Sequence, residues 1–165
     1  MSAGPAIAAD LRAAIDEGIA LFKGATEERT ARRPAADKWS AREVIGHLID
    51  SACNNHRRFI INQGDGNRLL IDGYEQNDWV ARNRYADTNA ADLVPMWATY
   101  NRHIARVLEA VPDEVFDRDR GPLSEYAFPY MDRRPTTAFA TLGYVAEDYV
   151  AHLRHHLEQI RELLT

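Results

Sequence analysis

Val150-Ala151-His152-Leu153-Arg154-His155-His156-Leu157-Glu158-Gln159-Ile160 is the stretch on which the fold turns. His152 and His156 stand four residues apart, so on a helix they share one face. Leu142, Val145, Tyr149, Leu153 and Ile160 repeat around them at helical spacing, which predicts a helix from about Thr141 to Leu164. Within that apolar stripe, Asp148, His152, His156 and Gln159 form a polar line. Such a line is costly in a core unless something satisfies it, and a divalent ion would. Two imidazoles one turn apart can chelate such an ion, and His47, from another helical segment, completes a facial set. The spacing predicts a helical bundle built around a three-histidine metal site.

The His47 segment reads as a helix with a clear start. Ser40 is followed three residues later by Glu43, a capping box. Val44, Ile45, Leu48, Ile49, Ala52 and Phe59 supply a buried stripe running to about Asn62. A first helix is expected over residues 6–24, from Ile7, Leu11, Ala14, Ile15, Ile19 and Phe22 to Gly24. A third opens at Asn89 and Asp92 and carries Leu93, Trp97, Tyr100, Ile104, Val107, Leu108 and Val111, with Pro95 in its first turns. Residues 29–38 read as a polar connection. Residues 68–87 read as a long connection with a short helix near Asn77–Arg84. Residues 112–140, with four prolines, read as an irregular crossover. Four long helices with two long connections suggest a bundle with crossovers.

The chain has 165 residues, which the usual prior makes a single domain, 1–165. A net charge of -5 with no basic run argues against nucleic acid as a partner. No apolar stretch reaches the roughly 20 residues needed to span a bilayer, and the N-terminal segment lacks the basic start of a secretion signal. The single cysteine, Cys53, allows no internal disulfide and fits a reducing compartment, so a cytoplasmic location is expected.

Turns of about 100° per residue place Asn54 and Arg58 within about 20° of His47, with Asp50 and Ser51 flanking it. Asn54 and Arg58 are candidate substrate-pocket residues, against the plainer reading of Arg58 as a surface ion pair. His56 points about 180° away from His47. Cys53 reads as a small core residue, and His103 as peripheral. His155 could replace His152 or His156, but its angle suits a helix–helix seam better. Asp50 and Asp148 are candidate groups for orienting imidazoles. Trp79, Tyr126 and Tyr130 could line a pocket, although aromatics at such positions more often pack.

Lys38-Trp39-Ser40-Ala41-Arg42-Glu43-Val44-Ile45-Gly46-His47-Leu48-Ile49-Asp50 resembles the second-helix signature of the DinB-like (DinB/YfiT) superfamily. The ending His152-Leu153-Arg154-His155-His156-Leu157-Glu158-Gln159-Ile160 and the middle piece Tyr74-Glu75-Gln76-Asn77-Asp78-Trp79 resemble it as well, in order and spacing over nearly the full length. The resemblance implies an all-α, four-helix bundle of up-up-down-down topology with long crossover loops. It also implies a divalent metal on His47, His152 and His156. Members of that superfamily include thiol S-transferases that use low-molecular-weight thiols, and a maleylpyruvate isomerase. The Gly121-Pro122-Leu123-Ser124-Glu125-Tyr126-Ala127-Phe128-Pro129 piece matches no motif, so no substrate carries over.

The expected function is that of a divalent-metal-dependent enzyme, hydrolase-like or thiol S-transferase-like, acting on a small-molecule substrate. The metal would activate a water or a low-molecular-weight thiol cosubstrate. Zn²⁺ suits neutral histidines and an open position best, with Ni²⁺ or Fe²⁺ as alternatives. Rival readings are a non-catalytic, stress-related metal- or small-molecule-binding bundle, and a structural protein with hydrogen-bonded core histidines. A homodimer is expected by analogy alone.

Overall fold

A computed structural model describes residues 3–66, 69, 71–120 and 141–165. Four long helices dominate: α1 (Ala3–Phe22), α3 (Ala41–Ile61), α5 (Ala90–Glu109) and α7 (Leu142–Leu164). Between them lie the short helices α2 (Glu27–Ala31), α4 (Gln76–Arg82) and α6 (Asp113–Phe116), and a 3-10 turn at Tyr85–Asp87. No strand occurs among the described residues. No helix among them is long and apolar enough to cross a membrane.

The apolar stripes meet in one cluster. Leu11 and Ile15 of α1, Ile45, Leu48 and Phe59 of α3, Trp97, Ile104 and Leu108 of α5, and Leu142, Leu153 and Ile160 of α7 are all buried in it. α1 packs against α5 and α7, and α3 packs against the same two, so α1 faces α3 across the diagonal. Gly24, just past α1, holds φ +84, a left-handed conformation that glycine adopts without steric cost. At the start of α3 the Glu43 carboxylate turns back to accept the Ser40 N–H at 2.9 Å, the reaching-back arm of the expected capping box.

Helix directions follow from who touches whom. Gly4 lies against Leu108 and Gly18 against Trp97, so α1 and α5 are antiparallel. Arg154 pairs with Asp10 and Arg161 with Glu17, so α1 and α7 run the same way. His47 meets His156 while Phe59 meets Tyr149, so α3 and α7 are antiparallel. Arg42, at the start of α3, donates to the carbonyl of Ala86 just ahead of α5, and further along His56 meets Tyr100, so α3 and α5 are parallel. The order is therefore up-down-down-up. This corrects the up-up-down-down expectation. An amphipathic stripe reads the same whichever way its helix runs, so direction is set by the connections. The 62–89 connection returns the chain along the bundle to start α5 beside the start of α3. Phe116 packs near both Gly4 and Gly143, so α5 ends and α7 begins at one end of the bundle.

Two short helices arise where connections were expected. α2 falls across the start of the 29–38 connection and α6 inside the 112–140 crossover. α2 is capped locally by Thr26, whose side chain accepts the Arg29 N–H. It also caps another helix. Asn89 makes no side-chain cap; instead the Glu27 carboxylate accepts the N–H groups of Ala90 (3.0 Å) and Ala91 (3.1 Å) at the start of α5. Burial pushes the Glu27 carboxyl up, but those two N–H groups and Arg42 outweigh it and hold it below its usual range.

Candidate metal centre

His47 sits two turns into α3, and His152 and His156 lie on the face of α7 packed against it. All three are buried: His47 is 0% exposed, His152 8% and His156 7%. His47 Nε2 stands 3.2 Å from His152 Nε2. One ring nitrogen from each of the three lies within 4.8 Å of the others. The ring centroids are 5.3 Å apart for His47–His152, 4.7 Å for His47–His156 and 4.6 Å for His152–His156. Nitrogen ligands at about 2.0–2.1 Å on a tetrahedral ion stand about 3.3 Å apart, close to the His47–His152 spacing.

The electrostatics prepare these rings as ligands. Burial, then the neighbouring His156, pushes His47 down to about 3. His152 is held well below its usual value by burial and then by His156 and His47. His156 is lowered by burial, with partial compensation from Gln159. All three are therefore neutral at pH 7, the form that donates a lone pair. Gln159 Oε1 lies 2.9 Å from His156 Nδ1. An amide oxygen can only accept, so it fixes the proton on Nδ1 and leaves Nε2 as the donor atom toward a metal.

The surroundings of His47 are aromatic. Trp39, just ahead of α3, has its ring 5.1 Å from His47, and Tyr74, in the 62–75 connection, stacks at 6.5 Å. Trp79 of α4 lies against Tyr74 at 5.1 Å, one ring further out. Tyr126 and Tyr130 lie outside the described residues.

The remaining candidates take varied positions. Asp50 is buried, but its Oδ1 accepts the Tyr85 hydroxyl (2.7 Å) and the Asn83 amide (2.9 Å), while Oδ2 is buried without a hydrogen-bond partner among the described residues. Burial raises its pKa to about 6 against the lowering effect of Tyr85. Among the described residues no hydrogen bond joins Asp50 to an imidazole. Asp148 is buried one turn before His152. The half-buried Asn54 donates to the carbonyl of Asp50, four residues back in its own helix. Arg58 is buried, donating to Asn55 Oδ1 (3.2 Å) and to the carbonyl of Asp72, which replaces the surface ion-pair reading.

Cys53 is exposed, which corrects its expected place in the core: its side chain falls on the outer side of α3. His155 is exposed on α7 beside His156, at 5.2 Å, and so does not fill a helix seam. His56 is turned away from the site as expected and meets Tyr100 and the exposed His103 on α5. Trp39, Tyr74 and Ser51, whose Oγ lies 3.4 Å from His152 Nδ1, were not singled out as site residues by sequence. Trp39 and Tyr74 precede their helices, so helical periodicity does not place them. Gln159 was visible in the polar line of α7, without its role.

The family model for the DinB superfamily matches residues 10–160. The chain belongs to the DinB superfamily. Among solved structures it is similar to YfiT from Bacillus subtilis, described as a probable metal-dependent hydrolase with an unusual four-helix bundle topology. The two share 19% identity with a TM-score of 0.76, over 97% of this chain and 85% of that one, a likeness of fold. No curated protein matches the sequence. The buried three-histidine group of this DinB-superfamily bundle suits a divalent metal.

Proposed function

We propose that this protein is a divalent-metal-dependent enzyme that activates a water or a low-molecular-weight thiol against a small electrophilic substrate. The observation that carries the reading is the convergence of three buried, neutral imidazoles, two of them with Nε2 atoms 3.2 Å apart. Without a shared cation or proton, lone pairs so placed repel one another in a medium that screens them poorly. His47, His152 and His156 would hold the ion through three nitrogens and leave a fourth position open, the arrangement of catalytic rather than structural zinc. When bound, the ion supplies Lewis acidity and lets a nucleophile lose its proton near neutral pH.

The chain's own groups do the rest. Gln159 keeps the His156 proton on Nδ1, and we assign Asp148, a turn before His152, as a further orienting acid. Trp39 and Tyr74 present aromatic surface beside His47, which favours a substrate with an apolar body next to its reacting group. The description of YfiT as a probable metal-dependent hydrolase supports the water arm of the proposal. Zn²⁺ is our first choice, with Ni²⁺ and Fe²⁺ as alternatives. Family analogy supports a homodimer, checked by light scattering.

The test is metal content of tag-free protein by mass spectrometry, beside a His47→Ala/His156→Ala variant. About one ion per chain, lost in the variant, is expected, followed by turnover of ester, amide or thiol-acceptor panels. Metal binding with no turnover on either panel favours the non-catalytic binding module. No uptake by wild type, even after incubation with Zn²⁺ or Ni²⁺, refutes the metal reading.

A further inference from the structure

We propose that Arg58 is a positioning residue for the metal centre, acting on His152 through Asn55 and Ser51. The proposal rests on the metal reading above. Ser51, Asn55 and Arg58 follow at i, i+4 and i+7 along α3, so their side chains stack on one face. All three are buried. Arg58 Nη1 donates to Asn55 Oδ1 at 3.2 Å. Asn55 Nδ2 donates to Ser51 Oγ at 3.3 Å and to the Ser51 carbonyl at 2.9 Å. Ser51 Oγ lies 3.4 Å from His152 Nδ1. At the outer end, Arg58 Nη2 donates to the carbonyl of Asp72, two residues before the Tyr74 that stacks on His47.

The chemistry of the relay follows from donor and acceptor counts. An imidazole that binds metal through Nε2 carries its proton on Nδ1 and needs an acceptor for it. Ser51 Oγ is placed to be that acceptor. A serine hydroxyl alone rotates freely, and an asparagine amide can present either its oxygen or its nitrogen. Arg58 has only donors, so it selects the Asn55 orientation with Oδ1 outward and Nδ2 toward Ser51. Asn55 then holds the serine oxygen from one side and leaves a lone pair toward the ring. With the guanidinium buried and bonded to Asn55 and to the Asp72 carbonyl, Arg58 is placed to orient the site.

The test is a double-mutant cycle on metal affinity. Co²⁺ binding is measured by competition with a chelator of known affinity for wild type, Ser51→Ala, Arg58→Met and the double variant. Each metal-free protein is also melted, to separate folding from binding. We expect each single change to weaken Co²⁺ about 10-fold, the scale of lost outer partners of metal-bound histidines. In one relay the double variant loses no more than the worse single. The His152 Nδ1–H signal in the NMR spectrum of Zn²⁺-loaded protein should be present in wild type and lost to exchange in Arg58→Met.

Losses that add in the double variant, or an affinity untouched by either single change, overturn the proposal while leaving the metal reading standing. A wild type that takes up no Co²⁺ overturns the metal reading and this proposal together. If Arg58→Met does not fold, Asn55→Ala cuts the same relay, and its loss must match that of Ser51→Ala.

Discussion

Gly46→Ala is the sharpest probe of how the site end of the bundle is built. In an ordinary helix interior this change stabilises by about 1 kcal/mol, because glycine gives up more backbone freedom on folding. Here the new Cβ would stand 2.2 Å from Tyr85 Cγ, 2.3 Å from Cδ2 and 2.8 Å from Cβ. Those atoms form the root of the Tyr85 side chain, so no rotation of its tip relieves the clash. The 3-10 turn must move off α3, and the Tyr85 hydroxyl then leaves the buried Asp50 carboxylate it bonds at 2.7 Å. Overpacking costs about 1–3 kcal/mol, and a hydrogen bond to a charged group contributes about 1.5–3 kcal/mol. Set against the propensity gain, the net loss is about 3 kcal/mol, or ~6–12 °C in melting temperature for a chain of this size. Calorimetry and urea titration measure it. In a Tyr85→Gly background all three of those atoms are gone, and the same change should stabilise by up to about 1 kcal/mol. A Gly46→Ala protein that melts higher than wild type, or an unchanged sign in the Tyr85→Gly background, refutes the packing argument.

Metal-free protein should lose stability on acidification. His47 titrates at about 3 when folded against about 6.5 unfolded, so between those values the unfolded chain holds a proton that the native state refuses. Stability is full above about pH 6.5 and falls through that window at up to about 1.4 kcal/mol per pH unit for each such histidine. Asp50, raised to about 6, opposes this between its unfolded value and 6, because there the native state holds the extra proton. Urea midpoints in chelator for wild type and His47→Gln isolate the histidine contribution; parallel slopes would contradict it. Glu27→Gln should cost about 0.5–1 kcal/mol at neutral pH through the weakened cap on α5, the low end of cap losses because the carboxylate is partly exposed. That difference should shrink as pH falls and wild-type Glu27 takes up its proton; a pH-independent difference would show that charge plays no part. Zn²⁺ at 100 times its Kd should stabilise by about 2.7 kcal/mol, reversed by chelator and absent in His47→Ala/His156→Ala.

The long helices and the histidine cluster were legible because each rests on local periodicity. The i, i+4 pair on α7 and the buried stripe of α3 need only the 3.6-residue repeat to place His152 and His156 together and His47 on an inward face. Cys53 shows the limit of that argument. Its angle from His47 follows from the helical repeat, but whether that angle meets core or solvent depends on where α5 and α7 pack. His155 failed for the same reason, and the residues beside His47 were missed because Trp39 and Tyr74 come from connections.

The sequence by itself determined what is written at short range: four amphipathic helices, the Ser40/Glu43 start of α3, and the His152/His156 pair one turn apart, whereas packing of α3 on α7 brings His47 to that pair. Tertiary structure alone decided the up-down-down-up order, the cap that Glu27 places on α5, and the Arg58–Asn55–Ser51 approach to His152. It also decided the burial of Asp50 under Tyr85. The physical reason is that helix formation and facing are set by residues within two turns of one another. Direction, caps supplied from elsewhere and shifted proton affinities depend on groups tens of residues apart, which meet only when the helices pack.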